Sequence, residues 1–293
     1  MSKIKTENYI IITSKKSVVV FSKFYIPFEI DKVKHADKEK FKEELKKAIS
    51  DMEQDEDCIL KARYGTTAIN ISDVENTLFY NLGTTNFKKF TKNGLTFSKV
   101  EKEEVRFLQR QYEISDEYSH YYEYEIGKNV PHIKFEKMLA KWENVSLKCV
   151  ALKPAIVWKT LKGEKSKIKT FGKINTEEKN TFAVCLTIEK PQNNKSNIIT
   201  AMKSLLDGVI CVFHSSYFNK NEIEKLMLKI GCEDKMLIDA TLSVLGNRKT
   251  KFVNEYGKSI KWNPADELCN YVYISVKEGN SWNISGEIYS IAI

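Results

Sequence analysis

The sequence predicts an α+β fold: mixed, largely antiparallel sheets with packed helices, arranged as two similar α/β halves, 1–147 and 148–293, either separate or joined in one compact unit. Three observations predict it. β-branched and aromatic runs around polar turns open and close the chain, at 8–30 and 269–293. Amphipathic helical spacing recurs between them, most clearly over 37–52, 196–213 and 220–230. Each half also runs from strands through an Asn-containing polar turn, "SDVEN" in the first and "NNKSN" in the second, into a helix.

The elements follow in order. Residues 8–30 read as a β-hairpin about a Ser-Lys-Lys turn. Residues 37–52 read as a helix: Asp37 is placed to cap it, and Phe41, Leu45, Ala48 and Ile49 share one face. The acidic stretch 51–57 is a solvated loop and not a calcium loop. Glu56 stands where the sharp-turn glycine belongs, and Ala62 where the bidentate glutamate belongs. A strand or two over 58–71, a short helix over 71–83 and a strand over 95–101 come next. In "YSHYYEYEI", His120, Tyr122, Tyr124 and Ile126 alternate with Ser119, Tyr121, Glu123 and Glu125. That is a half-buried strand, or a tyrosine-lined surface of the kind on which bases stack. Residues 134–142 predict a short helix.

The second half opens on a β-rich run, 146–161. A lysine-rich exposed β-connection, 159–173, leads to a buried strand, "TFAVCLTIEK", and a turn, "PQNNKSN". The strongest helical signal covers 196–213. Ile198, Met202, Leu205, Leu206, Val209 and Phe213 fall on one face, with Ser196 as the expected cap. Gly208 inside that helix costs about 1 kcal/mol relative to alanine, which points to close packing there. A polar loop carrying Trp262, Asn263 and Asp266 precedes a terminal hairpin turning at Gly-Asn.

Composition narrows the class. With 42% hydrophobic and 11% aromatic residues, the chain can bury enough apolar surface to fold, so disorder is excluded. No segment approaches the roughly 18 apolar residues of a membrane span, and no signal peptide is visible. Six scattered cysteines without a CxxC predict reduced thiols, hence a cytoplasmic protein with no membrane partner. Net charge is +8, and residues 149–293, with 21 Lys/Arg against 15 Asp/Glu, hold most of the excess. A basic second half admits a DNA or RNA partner.

The nucleotide-binding, zinc-protease and serine-hydrolase signatures are all absent. The four histidines show no metal-ligand spacing. Cys211 and His214 lie three apart on the best helix, but an apolar helix makes a buried, inert thiol the expectation there. Two features carry chemistry. Asp73 and Glu75 form a D-x-E pair whose oxygens suit Mg²⁺ or Mn²⁺, given a third ligand from Glu101, Glu103 or Glu104. The bland alternative makes Asp73 a helix cap and Glu75 a favourable charge at the helix's positive end. Lys162, Lys165, Lys167, Lys169 and Lys173 form a basic run opposed only by Glu164, a candidate phosphate surface or an ordinary solvated face.

"SDVENTLFYNLG" resembles the strand, polar turn, D-x-D-N and apolar helix of the RusA-like Holliday-junction resolvases, with Asp73, Glu75 and Asn76 on the motif positions. "NNKSNIITAMKSLLDGV" is similar in its apolar spacing. Asn197 falls on the motif asparagine, while Asn194 and Ser196 stand where the family has aspartates. The resemblance covers about thirty residues. It implies a metal-dependent nuclease relative, active or decayed, and a duplicated one. Three readings therefore stand: a cytosolic nucleic-acid-associated protein related to such nucleases; a non-catalytic protein-interaction component or antagonist of a bacterial or phage defence system; and, third, a small-molecule enzyme, since hairpin-rich α+β folds often enclose a pocket. Whether the chain is an enzyme stays open at this point.

Overall fold

The computed structural model describes residues 2–26, 36–68, 73–128, 133–147, 153–174, 180–192, 194–246 and 250–291. The fold is α+β. Its chain forms two compact units: the first comprises Met1–His132 with Asn197–Thr200, the second Ile133–Ser196 and Ala201–Ile293.

The first unit runs β1 (Ser2–Lys5), β2 (Tyr9–Thr13), β3 (Ser17–Ser22), α1 (Ala36–Ser50) and β4 (Ile59–Thr66). A π-helical turn (Asn76–Tyr80) and a 3-10 helix (Thr84–Phe90) lead to β5 (Gly94–Val100), α2 (Lys102–Gln111) and β6 (His120–Gly127). The expected hairpin forms: β2 pairs antiparallel with β3, and Ser14 N–H closes the turn on Ser17 O at 2.8 Å. Positions 27–30 of the predicted hairpin, and 69–72 between strand and helix, lie outside the described residues. Strand order is β1-β2-β3-β6-β4-β5, with only β4 and β5 parallel.

Both faces of this sheet are covered. On one, α1 buries Phe41, Leu45 and Ile49, and Phe41 stacks on Tyr9 at 4.7 Å. On the other, Ile10, Ile12, Val19, Phe21 and Tyr121 pack against Val105 and Leu108 of α2. Such two-sided burial explains why β2 and β3 read as continuous apolar runs instead of alternating. Helix α2 comes so close to β4 that a Cβ on Gly65 would sit 2.5 Å from Val105 Cγ2.

The second unit runs β7 (Phe135–Ser146), α3 (Pro154–Gly163), a 3-10 turn (Lys165–Lys167), β8 (Ile168–Thr170), β9 (Thr181–Pro191), α4 (Ile198–Val212), α5 (Lys220–Ile230) and α6 (Asp234–Ile238). A small hairpin follows, β10 (Val253–Tyr256) with β11 (Ser259–Trp262), then a 3-10 turn (Asp266–Leu268), β12 (Cys269–Gly279) and β13 (Asn283–Ile291). Its sheet is ordered β12-β9-β13-β7-β8.

Four expectations are corrected here. The predicted helix 134–142 is strand from Phe135 onward, because β7 pairs along its length with β13, and cross-strand pairing outweighs a short, weak helical period. The run 146–161 is not β-rich where described: Pro154 sits in the first helical turn of α3, which buries Val157, Trp158 and Leu161. The closing strands do not pair with each other. Strand β9, apolar at Phe182, Val184, Leu186 and Ile188, lies between them, parallel to β12 and antiparallel to β13. Helix α4 is capped by Asn197 rather than Ser196, its Oδ1 accepting from Ile199 N–H at 3.1 Å. The helix itself is as expected, and a Cβ on Gly208 would lie 2.6 Å from Val157 Cβ.

The two units share a core topology. In the first, β3-β6-β4-β5 are neighbours in the senses antiparallel, antiparallel, parallel. In the second, β7-β13-β9-β12 repeat that order and those senses. Chain order matches as well, with α1 and α3 after the first strand of each set. Outside those four strands the units differ in their edge strands, β1 and β2 beyond β3 against β8 beyond β7, and in insertions. The first unit has α2 between its last two strands, where the second has a short turn at 280–282. The second unit adds α5 through β11. "SDVEN" after β4 and "NNKSN" after β9 therefore occupy the same topological position. No described helix is long and apolar enough to cross a membrane.

Candidate functional site

Chain leaving the carboxyl end of β4 enters a helical turn at Asp73. Asp73 Oδ1 accepts the Asn76 backbone N–H at 3.3 Å, and Oδ2 accepts Asn76 Nδ2 at 2.5 Å. Its carbonyl accepts the Thr77 hydroxyl at 2.9 Å and the Thr77 N–H at 3.1 Å. Asp73 therefore satisfies helix-start donors as a cap does. From Asn76 the backbone widens to π geometry, Asn81 N–H reaching Asn76 O at 2.9 Å; such turns recur at functional sites. Two side chains pin the turn. Buried Asn81 donates to Tyr25 Oη at 2.7 Å and Ile26 O at 2.8 Å, and Tyr124 Oη donates to Leu78 O at 2.8 Å.

The cap does not exhaust the site. Asp73 and Glu75 each bring a carboxylate oxygen within 4.8 Å of the other, and Glu75 is buried. Two converging carboxylates, one of them taken out of water, form a donor set for a hard cation, and Mg²⁺ is commonly held by one or two carboxylates plus phosphate oxygens. Beside the turn, a cavity of about 200 Å³ opens at the carboxyl ends of the parallel pair β4 and β5, lined by Tyr64, Thr66, Val74, Val100 and Glu101. That end of a parallel pair is where ligands bind in open sheets.

The expected third ligands part company. Glu103 pairs with Arg106 at 2.7 Å, and Glu104 with Arg63 at 2.9 Å. Glu101 lines the cavity as the residue before α2. Among the described residues, none of the three forms a group with Asp73 and Glu75 whose ligand oxygens all lie within 4.8 Å. Deeper in the unit, Tyr64 Oη lies 3.0 Å from His120 Nδ1, with the rings stacked. Burial lowers the His120 imidazole to about 4, so it is neutral near pH 7. The tyrosines alternating with it are core: Tyr122 and Tyr124 are fully buried, so they offer no stacking surface.

The lysine run of the second unit divides. Lys162, on the buried face of α3, donates to Asp239 O at 2.7 Å. Lys165 pairs with the Asp239 carboxylate at 2.8 Å and Lys167 with Glu164 at 3.0 Å. Lys165, Lys167, Lys169 and Lys173 are exposed, and Lys169 lies on β8, which pairs with β7. Phe171, half exposed, sits between Lys169 and Lys173. The segment is tethered, by Phe171 N–H to Leu139 O and Ile174 N–H to Val244 O, both at 2.9 Å.

At the topologically matching turn of the second half, Asn194 Oδ1 accepts the Ser196 N–H at 2.8 Å. Asn197, grouped with the first unit, accepts from the Thr91 hydroxyl at 2.8 Å and donates to Lys88 O at 2.7 Å. These groups hold backbone and carry no carboxylate. Cys211 is fully buried and its thiol donates to Phe252 O at 3.6 Å, as an inert thiol does.

Sequence reasoning missed the burial of Lys162 and the role of Asp239. The first had a signal, since Trp158 and Lys162 are four apart on the helix that Pro154 begins. For Asp239, beyond a five-residue helix, no local signal existed. Comparison of the chain with protein-family models, with curated proteins and with solved structures gave no significant match.

Proposed function

We propose that the chain is a nucleic-acid-associated protein whose first unit holds Mg²⁺ or Mn²⁺ at Asp73 and Glu75, a relative in kind of metal-dependent nucleases. The observation that carries this reading is the approach of those two carboxylates, one buried, beside a cavity at the carboxyl end of β4. A bound cation there would supply charge for a phosphate oxygen and would acidify a coordinated water. Asp73 and Glu75 hold it, and Asn76 orients the Asp73 carboxylate through its two hydrogen bonds. The exposed lysines 165, 167, 169 and 173 act on the second unit as phosphate ligands, with Phe171 available for stacking.

Melting temperatures with and without millimolar Mn²⁺ test the metal site. Wild type is expected to gain stability with Mn²⁺. Asp73→Asn keeps the cap and loses the gain, whereas Asp73→Ala also loses about 0.5–2 kcal/mol without metal. A wild type indifferent to Mn²⁺ removes the site. For the lysines, Lys167→Gln/Lys169→Gln/Lys173→Gln is expected to flatten log affinity against log salt by about one unit for each phosphate no longer neutralised. An unchanged slope would leave the run as a solvated face.

A second reading, a protein-interaction component, is favoured by one observation. The second unit exposes Tyr217, Leu228, Ile238 and Tyr256, large apolar side chains more than half accessible. A stable complex in native pull-down, abolished by Leu228→Asp, supports it.

A further inference from the structure

The second unit holds a buried amine that the proposed function does not use. Lys162 lies in the last turn of α3, 5% exposed, because Val157, Trp158 and Leu161 set that face of the helix into the core. It lines a cavity of about 490 Å³ together with Lys165, Glu233, Lys235, Ile238 and Asp239. Every charged neighbour there is paired. Lys165 meets the Asp239 carboxylate at 2.8 Å, and Lys235 meets Glu233 at 2.6 Å. Lys162 instead donates to a neutral acceptor, the Asp239 carbonyl, at 2.7 Å. The cavity thus holds three amines and two carboxylates, and charge balances when Lys162 is neutral.

We propose that Lys162 is a carbonyl-reactive amine that condenses with a small aldehyde bearing an anionic group. Its neutral Nζ attacks the carbonyl carbon and forms the C–N bond. The resulting carbinolamine takes one proton from solvent, expels its hydroxyl as water and leaves a protonated imine, so no oxidant or reductant is consumed. That cation restores a net positive charge to a cavity closed on one side by protein. An anionic substituent on the aldehyde offsets it, with Lys165 and Lys235 at hand as hydrogen-bond donors.

Electrostatics agree with the geometry. Burial lowers the Lys162 ammonium from 10.5 to about 8; Asp239 opposes the shift and Lys165 adds to it. At pH 7 such an amine is neutral in roughly one molecule in ten, against roughly one in three thousand for an ordinary lysine. A desolvated lysine beside a second cation is a known route to an amine nucleophile. Burial pushes the Asp239 carboxyl up, but hydrogen bonds from Lys165 and Thr241 outweigh it and hold the group far below the usual carboxylate range, so its pairing with Lys165 persists at neutral pH.

Pyridoxal 5′-phosphate, followed by borohydride reduction and peptide mapping of the full-length chain, tests this. The expected result is one adduct per chain, on Lys162, formed at least about tenfold faster than on any exposed lysine. Its rate rises with pH through a midpoint of about 8. Pyridoxal, which lacks the phosphate, labels Lys162 more slowly; equal rates overturn the anionic-ligand part. Adducts spread over exposed lysines such as Lys169, with Lys162 unmodified, overturn the whole proposal. Lys165→Gln removes the neighbouring cation and releases the Asp239 carboxylate, so the Lys162 midpoint should move up and labelling at pH 7 should slow. An unmoved midpoint overturns the coupling of these groups. None of these outcomes depends on metal at Asp73.

Discussion

His120 shows what burial does to a single titratable side chain. Packed against Tyr64 and lowered to about 4 by desolvation, it folds as the neutral imidazole. The unfolded chain takes up that proton near pH 6.5 and the folded chain only near 4. Acidification through that window therefore favours unfolding. The shift corresponds to about 3 kcal/mol, present in full above pH 6.5 and lost by pH 4. His120→Phe should delete this component, so its stability difference from wild type should change across the window. A difference that stays constant with pH would mean that His120 is not buried as the neutral base. At this scale the sequence was half legible. Asp73 can be read as a helix-start residue from its place before an apolar run. The approach of Glu75 to it, and the burial of Lys162, depend on partners that local sequence does not name.

Helix α4 was legible, because its apolar face repeats for four turns without interruption. Leu205 is fully buried, and Leu205→Ala should cost about 2–5 kcal/mol through lower transfer energy and the cavity left behind. Gly208→Ala is the sharper test. Alanine gains about 1 kcal/mol in helix propensity, but its Cβ would lie 2.6 Å from Val157 Cβ and 2.8 Å from Pro154 O. Overpacking against backbone costs about 1–3 kcal/mol, so the net effect should be destabilising by urea melts. A stabilised Gly208→Ala would show that α3 yields there. Strand β7 and helix α3 were misread for opposite reasons. Strand β7 takes its conformation from β13, about 150 residues away, whereas α3 announces itself only through Pro154, in a stretch rich in Val, Ile and Leu that also suits a strand.

Across the whole chain, the repeated order β3-β6-β4-β5 and β7-β13-β9-β12 carries more than any residue match. Similar strand patterns in each half hinted at it. What hid it was the insertion of α2 in one unit and of α5 through β11 in the other, which leaves the first spacing between matching strands similar and changes the second and third. The matching turns differ in chemistry: the first has Asp73 and Glu75, and the second Asn194 and Ser196. Placing acids in the second turn, as Asn194→Asp with Ser196→Asp, should add no Mn²⁺-dependent rise in melting temperature to an Asp73→Asn chain if the first turn alone is shaped for a cation. A rise there would show that the lack of acids is the difference that matters between the turns.

Strand β8 closes one side of the second unit's sheet, so its outer amides and carbonyls offer a template to any other extended chain. Lysines at 167, 169 and 173 crowd that margin, and a second copy adding there would force like charges together. The ammonium groups proposed as phosphate ligands would thus also keep copies apart. Neutralising them, by acetylation or by a polyanion near charge equivalence, should turn a dispersed solution turbid, and light scattering should peak at equivalence and fall on either side. Colloidal behaviour and ligand binding would then rest on one row of side chains, and selection for either would preserve it.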